Sequence, residues 1–452
     1  MSLPAKPSGP GFDPERLVRH LCRNFPKPDA YWVGFSGGLD STVLLQALAE
    51  QRRQLAAPLK AIHIDHGLHN DSGDWAVHCQ AVCDQLDVPL IAKAVNARPA
   101  RGESPEAAAR AARYGAIRAA LPPRTLLLTA HHLDDQAETV LLQLLRGAGV
   151  AGLAAMPPVR PFAKGWHGRP LLGQSRQHLS DWAGQHGQRW LEDPSNASVT
   201  PDRNFLRHAV LPTLRTRWPA AAQSVARSAR HCAGALEALR QQAEEDLGRA
   251  AHSADRIDLA RFAQLSAFRQ RALLLRWFQR FAVPAPRAAQ MREVLDQLLH
   301  AGDDAAVCFS LGEYQLRRYA GAAWIIHTPP PESTRVTLPW PAGQEVVELE
   351  MGAVKRRPGT GGIPQRCWDD SDIQIGFRRE GLRCLPAGRQ GRRTFKAISQ
   401  ENAIPPWQRP FLPVIWVEGQ VAAIANCCVC EPFVAGPGEP GWLIEWSVDR
   451  DR

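Results

Sequence analysis

The sequence predicts an α/β protein that begins with a parallel sheet carrying helices on both faces. A mainly helical domain and a small β-rich C-terminal domain follow. Short apolar runs alternate with stretches of helical spacing over roughly the first 150 residues, which is typical of a parallel sheet. Helical spacing dominates the middle of the chain, and alternating runs such as EVVELEM and PVIWVEGQVAAIA dominate its end. At 452 residues, the chain is also too long for one ordinary core.

The first domain opens with a strand, a tight turn and a helix. The apolar run ends at Phe35, and residues 42–49 have helical spacing. Further strands are predicted at 59–65, 88–95 and 125–130, and further helices at 72–86, 105–121, 134–146 and 176–186. Ser104 followed by Pro105 is a typical helix start and fixes the beginning of the second of these helices.

Proline-rich stretches and changes in periodicity divide the chain into three predicted domains, 1–218, 219–334 and 335–452. The second begins with a long linking helix at about 220–251. It continues with helices at 266–281 and 287–300 and strands at 306–311, 314–318 and 323–327. The stretches PPPE and PWPAG mark the boundary to the third domain.

Composition restricts the class of protein. A net charge of +9 is expected both for a protein with a polyanionic partner and for one that is merely soluble. The amino end lacks the apolar core of a signal peptide and no run is long enough to span a membrane, so we expect a cytoplasmic protein without membrane contact.

The ten cysteines include Cys427, Cys428 and Cys430, but no second Cys/His pair at ligand spacing. We therefore expect buried thiols rather than a zinc or iron–sulfur site.

The turn after the first strand is the most informative stretch. It consists of Ser36, Gly37, Gly38, Leu39, Asp40 and Ser41. Adjacent glycines allow a sharp turn close to a ligand, and a helix start presents unpaired N–H groups and a positive dipole end to an anion. A simple β–α connection with a serine cap is the alternative. The spacing differs from the P-loop pattern GxxxxGK[ST], whereas SGGLDS resembles the SGGxDS loop of the ATP pyrophosphatases.

Polar clusters begin where the predicted strands stop. Asp65 and His66 follow one strand and HHLDD, at 131–135, follows another, so we expect both near the turn at the carboxyl edge of the sheet. Asp135 and Glu138 share a helix face, where they could cap the helix, hold magnesium or hold a cationic substrate. Arg110 and Arg113 also share a face, and either a phosphate contact or a solvated arginine surface fits them.

Two later stretches are polar as well. The block at 196–207 contains Asn196, Arg203, Asn204 and Arg207. Loop capping and closing on a substrate fit these residues equally well.

Basic side chains crowd the third domain, and between them lie the aromatics Phe377, Phe395 and Trp407. For this mixture we favour nucleic acid over a solvated surface. The basic residues are Arg378, Arg379, Arg383, Arg389, Arg392, Arg393 and Lys396.

Several blocks together resemble the tRNA(Ile)-lysidine synthetases in their long three-domain bacterial form. The blocks are HIDHGLH (63–69), EAAARAARY (106–114), TAHHLDDQAETVLLQLLRGAGVAGLAAM (129–156), RPLL (169–172), DPSN and RNFLRH (193–208), and FKAISQENAIPPWQRPFLPVIW (395–416). The resemblance spans the catalytic domain and returns in the last one. One departure is His69, where the family often has a basic or small residue.

The resemblance implies an ATP-dependent ligase. In that family the cytosine C2 oxygen of the wobble cytidine, in a tRNA(Ile) with a CAU anticodon, attacks the α phosphorus of ATP. The side-chain amine of free L-lysine then displaces AMP. It implies that residues 36–41 hold ATP, that Asp40 contacts Mg²⁺ and that Arg113 assists the pyrophosphate. His131, Asp135 and Glu138 are then candidates for lysine binding and for accepting its proton, and Arg207 for closing on the substrate.

Two other functions remain open at this point. A tRNA cytidine 2-thiolation enzyme also adenylates a base, but it is expected to carry paired CxxC motifs, which this chain lacks. A catalytically silent tRNA-binding protein need not retain both SGGLDS and DDQAET. The sequence is compatible with a homodimer and does not fix the oligomeric state.

Overall fold

The computed structural model describes residues 11–65, 72–96, 98, 105–192, 198, 200–302, 305–331, 336–370 and 372–448. The chain divides into two compact units, Met1–Ala238 and Leu239–Arg452. The predicted domains 1–218, 219–334 and 335–452 are a finer division and stay a prediction. Among the helices of these described ranges, none combines the length and the apolar character needed to cross a bilayer.

Strands and helices alternate in the first unit, as the sequence predicted. The strands are β1 (Ala30–Gly34), β2 (Leu59–Asp65), β3 (Leu90–Ala94), β4 (Thr125–Leu128), β5 (Val159–Phe162) and β6 (Gly165–Gly168). The helices are α1 (Pro14–Asn24), α2 (Leu39–Glu50), α3 (Ser72–Gln85), α4 (Pro105–Ala120), α5 (Leu133–Leu145), α6 (Val150–Leu153), α7 (Arg176–Gln185), α8 (Asp202–Phe205) and α9 (Leu211–Arg217). A π-helical segment, Leu206–Val210, joins α8 to α9.

These strands form one sheet in the order β3-β2-β1-β4-β6-β5. The pairs from β3 to β6 are parallel, which confirms the predicted parallel sheet, but β5 runs antiparallel to β6 as an edge hairpin. The sequence did not predict this hairpin, because its two four-residue strands are too short to show an alternating pattern. The ends of β1, β2 and β4 therefore share one edge of the sheet.

Both faces of the sheet are buried. Along β1, Tyr31 and Val33 pack into the core formed with α1, α2 and α7. Trp32 points to the opposite face, where it packs with Ile117 of α4. The alternation follows from the two-residue period of a strand and confirms that helices cover both faces.

A long helix, α10 (Ala221–Ala250), begins in the first unit and ends in the second. It is followed by β7 (Ala251–Ser253), β8 (Arg256–Asp258), α11 (Leu259–Ala263), α12 (Ala267–Arg280), α13 (Ala288–His300), β9 (Cys308–Leu311), β10 (Tyr314–Tyr319) and β11 (Ala322–His327). The strands pair in the order β7-β8-β11-β10-β9. Trp277 and Phe278 of α12 are fully buried in the core of this region. The sequence predicted α12, α13 and the last three strands, but not β7 and β8.

The remaining residues are β-rich, as predicted. The elements are β12 (Leu338–Pro339), β13 (Val346–Leu349), β14 (Gly352–Gly359), β15 (Ile363–Pro364), α14 (Cys367–Asp370), β16 (Ile373–Gly376), β17 (Arg383–Cys384), β18 (Arg393–Thr394), α15 (Phe395–Glu401), β19 (Val414–Val417), β20 (Gln420–Ile424), β21 (Cys428–Val429) and β22 (Gly441–Ser447). The sheets have the orders β12-β16-β19-β20-β21, β13-β14-β22-β15 and β17-β18.

Candidate functional site

The turn between β1 and α2 is shaped by Gly37. Its backbone has φ +80°, a left-handed conformation that side chains other than glycine adopt at a cost. A Cβ at this position would also lie 3.1 Å from the Sγ of Cys79. The following Gly38 is the N-cap of α2 and has φ −80°. Only the first glycine of the pair is therefore required by backbone conformation.

The two serines of the turn bond to each other and to the backbone of the turn. The Oγ atoms of Ser36 and Ser41 are 3.0 Å apart, and the Ser41 hydroxyl also donates to the Gly38 carbonyl at 3.0 Å. The Ser36 N–H donates to Ser41 Oγ at 3.2 Å. Because α2 has no side-chain cap, its first N–H groups are available to an anion. The turn is thus held in place from within and can cradle a phosphate.

Asp40 lies in the first turn of α2 and carries an unsatisfied oxygen. Its Oδ1 is buried and has no hydrogen-bond partner among the described residues. Its Oδ2 lies 3.5 Å from His132 Nε2. A buried carboxylate oxygen without a partner is costly, and hard divalent cations such as Mg²⁺ prefer oxygen ligands of this kind. Asp40 therefore fits the predicted magnesium contact, which stays a prediction.

His132 connects this turn to the start of α5. It caps the helix, because its N–H donates to Asp135 Oδ2 at 2.9 Å and its Nδ1 accepts the Asp135 N–H at 3.4 Å. Its Nε2 faces both Asp40 and Asp135, at 3.5 and 3.4 Å. Burial lowers the pKa of His132, but the carboxylates of Asp135, Asp40 and Asp134 outweigh burial and raise it. The turn at residues 36–41 and the HHLDD cluster, which were predicted to lie near each other at the sheet edge, therefore meet through this imidazole.

Asp135 and Glu138 form a buried cluster with two arginines. Arg203 donates from Nε to Glu138 Oε2 at 2.7 Å and from Nη2 to Asp135 Oδ1 at 3.0 Å. Arg207 donates from Nε to Glu138 Oε1 at 2.7 Å and from Nη2 to Asp135 Oδ1 at 3.0 Å. Glu138 is fully buried. The two acidic residues share a helix face, as predicted, and that face is neutralised by guanidinium groups.

Electrostatics keep this cluster charged. Burial raises the pKa of Asp135, but His132 and Arg203 outweigh it and hold the pKa at about 2. Burial lowers the pKa of Arg203 and Arg207, whereas Asp135 and Glu138 outweigh it and raise both. A cationic substrate that reaches these carboxylates must share them with the arginines.

His131 ends a second buried chain of hydrogen bonds. Its Nδ1 is 2.7 Å from Thr129 Oγ1, which is 2.8 Å from His167 Nε2. His167 Nδ1 is 3.3 Å from an Nη of Arg169, whose other Nη donates to the Pro157 carbonyl at 2.8 Å. Arg169 and His167 are 3% and 0% exposed.

The direction of this chain follows from Arg169, because a guanidinium can only donate hydrogen bonds. His167 Nδ1 must accept, so His167 Nε2 carries the hydrogen and donates to Thr129. The Thr129 hydroxyl then donates to His131 Nδ1, which leaves the hydrogen of the neutral imidazole on His131 Nε2. Burial lowers the pKa of His131 to about 3. The Asp135 carboxylate acts against this shift, and the Arg169 guanidinium adds to it. The pKa of His167 is lowered to about 2, mainly by burial and secondly by the charge of Arg169.

The other predicted site residues are placed as follows. The guanidinium groups of Arg110 and Arg113 lie 5.2 and 5.3 Å from the ring centroid of Tyr114. The charge of Arg110 contributes to the lowered pKa of His131 and His167, so it is near this chain. A phosphate contact of Arg113 stays a prediction. His66, His69 and Asn196 lie outside the described residues.

Sequence reasoning gave no role to four residues that the structure brings to this site, and it left Arg203 open between loop capping and closing on a substrate. His132 stood in an informative block but was not selected, since adjacent residues in a turn do not reveal which one points inward. The position before a helix, where caps are found, was the available signal for His132. Thr129 and Arg169 begin blocks that carry the family resemblance, but the sequence gave neither them nor His167 a contact, because their contacts depend on the pairing of β4 with β6.

In the second unit, the seven basic residues that the sequence analysis selected in the β-rich region are exposed, and their contact with phosphates stays a prediction. The predicted aromatic part of this surface is wrong in two positions, because Phe395 and Trp407 are only 2% and 7% exposed. Trp407 instead packs edge-on against Tyr319 and Trp324, at centroid distances of 6.0 and 5.8 Å. The sequence could not distinguish a buried aromatic from one that stacks on a base.

Comparison with known families gives three matches along the chain. Residues 13–214 match the PP-loop domain, residues 257–324 the TilS substrate binding domain and residues 373–446 the TilS substrate C-terminal domain. The tRNA(Ile)-lysidine synthase of Coxiella burnetii is 37% identical and covers 96% of this chain and 96% of its own. The tRNA(Ile)-lysidine synthase of Alkalilimnicola ehrlichii is 40% identical and covers 95% of this chain and 96% of its own.

Proposed function

Because this chain belongs to the tRNA(Ile)-lysidine synthase family, we propose that it forms lysidine on tRNA(Ile). The reaction joins free L-lysine to C2 of the wobble cytidine in a CAU anticodon, at the expense of ATP. The observation that carries the proposal is that the turn at residues 36–41, the phosphate turn, meets Asp135 and Glu138, the acidic face of α5. They meet through Asp40 and His132. The phosphate site thus lies beside two carboxylates, which a cationic amine would share with Arg203 and Arg207.

The first step activates the base. The cytosine C2 oxygen attacks the α phosphorus of ATP, the bond to the β-phosphate oxygen breaks, and pyrophosphate leaves. Residues 36–41 hold the nucleotide, with the N–H groups at the start of α2 facing the phosphates. Asp40 is the residue that would hold Mg²⁺, since its Oδ1 has no partner among the described residues. When bound, Mg²⁺ supplies charge neutralisation at the phosphates.

The second step transfers lysine. Its side-chain ammonium first gives one proton to solvent. The amine then attacks C2 of the adenylated base, the C2–O bond breaks, and AMP leaves with that oxygen. Asp135 and Glu138 attract the lysine ammonium, and Arg207, already on the same carboxylates, is positioned to close on the substrate. His131 was a candidate for accepting the proton, but its Nδ1 is occupied by Thr129 and its pKa is about 3. We assign it instead a donor role through Nε2–H.

The remaining parts of the proposal concern the RNA and the cell. The exposed arginines of the β-rich region bind tRNA phosphates. An enzyme that uses ATP and tRNA is placed in the cytoplasm, and the homodimer stays a prediction. The 2-thiolation alternative is not favoured, since both relatives reported above are lysidine synthases along nearly their whole length.

The test is incorporation of radiolabelled lysine into unmodified tRNA(Ile) with a CAU anticodon, in the presence of ATP and Mg²⁺. We expect labelled tRNA, AMP and pyrophosphate, with no label in an elongator tRNA(Met) that shares the anticodon. Label that never enters the RNA while pyrophosphate is released, or sulfur transfer without lysine, contradicts the proposal. Binding of tRNA without any pyrophosphate release identifies a silent binding protein.

A further inference from the structure

Three cysteines from two separate segments of the β-rich region come together. The Sγ atoms of Cys384, Cys428 and Cys430 all lie within 4.8 Å of one another, and those of Cys428 and Cys430 are 3.9 Å apart. Cys384 and Cys430 are buried, at 4% and 0% exposure, and Cys428 is half-buried. None of the three belongs to the phosphate turn or to the α5 cluster.

The backbone holds this arrangement in place. Cys428 and Cys430 are two residues apart in an extended segment, so their side chains share a face. The segment after Cys384 pairs with it: the Ala387 N–H donates to the Val429 carbonyl at 2.9 Å, and the Glu431 N–H donates to the Leu385 carbonyl at 2.8 Å. Strand register therefore brings the backbones of the three cysteines together.

The 3.9 Å between the Sγ atoms of Cys428 and Cys430 is close to the spacing of thiolate ligands around a thiophilic cation. Zinc binds cysteine sulfur at about 2.3 Å in a tetrahedron, which puts ligand sulfurs about 3.8 Å apart. Three soft thiolates select Zn²⁺ over hard cations such as Mg²⁺. Zinc with three thiolates carries one net negative charge, and the positive charge of Arg392 acts on Cys384. Because Cys428 is only half-buried, solvent reaches its side chain, and water is the fourth ligand that this exposure favours.

We propose that Cys384, Cys428 and Cys430 bind one Zn²⁺ ion. The sequence argued against such a site because no second Cys/His pair lies at ligand spacing. Strand pairing supplies the third thiol, Cys384, from a distant part of the chain. The ion would fasten the β17–β18 hairpin, whose loop carries Arg389 and Arg392, to strand β21. In terms of the proposed function, it fixes a group of phosphate-binding arginines to the folded β-rich region.

The first test measures metal in the full-length protein, purified with a reductant and without chelator. We expect about one zinc per chain by mass spectrometry of the metal content. Replacing zinc with Co²⁺ should give the charge-transfer and ligand-field absorption of tetrahedral cobalt thiolate. Cys384→Ser and Cys428→Ser should each lose most of the metal. Cys308→Ser, an exposed cysteine outside the cluster, should keep it. Metal content below about one-tenth of an equivalent, or equal in all variants, overturns the proposal.

A second measurement uses only the wild-type protein, so that it does not depend on the folding of variants. The native protein is alkylated with and without added Zn²⁺ after chelation, and labelling at each cysteine is read by peptide mass spectrometry. We expect Zn²⁺ to slow labelling of Cys428 at least about tenfold while Cys308 is unaffected. Equal labelling in both conditions, or a disulfide among the three cysteines under reducing conditions, overturns the site. A protein that forms no lysidine can still contain zinc and still protect Cys428 from alkylation. The tests of the zinc site are therefore separate from the test of the proposed function.

Discussion

Arg203 Nε donates to Glu138 Oε2 at 2.7 Å, on a carboxylate that is fully buried. Removing the charge by Glu138→Gln leaves Arg203 and Arg207 with half of their acidic partners. Breaking a buried pair of this kind costs about 3 kcal/mol of unfolding free energy. We expect urea unfolding to show this loss. The control is Glu50→Gln, at the exposed end of α2. Equal stability of the two variants would mean that the cluster is already screened by water.

Gly37→Ala tests the backbone of the phosphate turn. The left-handed conformation costs an alanine about 1 to 2 kcal/mol, and its Cβ meets Cys79 Sγ at 3.1 Å. We therefore expect lower stability and weaker ATP binding, measured by calorimetry. Gly38→Ala is the matched control, because that residue has φ −80° and its Cβ would lie no closer than 3.5 Å to Ser36 Oγ. Equal ATP affinities in the two variants would contradict the prediction.

Asp40→Asn separates catalysis from RNA binding. We expect turnover to fall by about 100-fold or more, because a charged ligand near the phosphates is lost, while tRNA affinity is retained. The pKa of His132, raised in part by Asp40, should fall and can be followed by NMR. Asp84→Asn, on the exposed surface of α3, is the control. Normal activity of Asp40→Asn would remove this residue from the site.

The buried histidines predict a loss of stability in acid. His167 has its pKa lowered from 6.5 to about 2, so the unfolded chain binds a proton below pH 6.5 that the folded chain refuses. The contribution of His167 to the free energy of unfolding is therefore fully present above pH 6.5 and is lost as the pH falls. His132 acts in the opposite direction, since its pKa is raised and its contribution is lost as the pH rises.

A comparison of variants isolates this effect. Between about pH 7.5 and about pH 5.5, the unfolding free energy of His167→Gln should fall by about 1.4 kcal/mol less than that of the wild type. His20→Gln, on the exposed side of α1, should fall as the wild type does. Parallel pH profiles for all three proteins would show that His167 takes up its proton without unfolding.

The exposed arginines of the β17–β18 hairpin predict a salt dependence of tRNA binding. Arg392→Gln and Arg393→Gln should each weaken binding and reduce the slope of log affinity against log salt by about 1, because each variant neutralises one phosphate fewer than the wild type. Arg357→Gln is the control, because this exposed arginine is paired with Glu445. An unchanged slope in both hairpin variants would place the RNA elsewhere.

The local sequence pattern was sufficient to predict many of the strands and helices. Strand β2 lies at the predicted 59–65, and helices α4, α5 and α7 end within a residue of their predicted limits, because periodicity and helix starts are written in adjacent residues. The phosphate turn has the predicted connection of strand to helix for the same reason. The β5–β6 hairpin, too short for periodicity, was not predicted.

Contacts between distant segments were not accessible from pattern. The pairing of Arg203 with Glu138 and the chain from Arg169 to His131 depend on which strands and helices are neighbours. Cys384 meets Cys428 and Cys430 only because the segment after β17 pairs with the segment around β21. The burial of Trp407 likewise depends on its packing against β10 and β11.

The position of His132 between Asp40 and Asp135 has a thermodynamic consequence. One imidazole faces a carboxylate from each half of the site, so a charge that arrives at one half changes the field at the other. Occupancy of the phosphate turn and occupancy of the acidic face of α5 are then linked equilibria. Reciprocity requires that whatever factor the nucleotide applies to the affinity for the amine, the amine applies to the affinity for the nucleotide. The order in which the two substrates arrive therefore cannot alter the total free energy of assembling the loaded site.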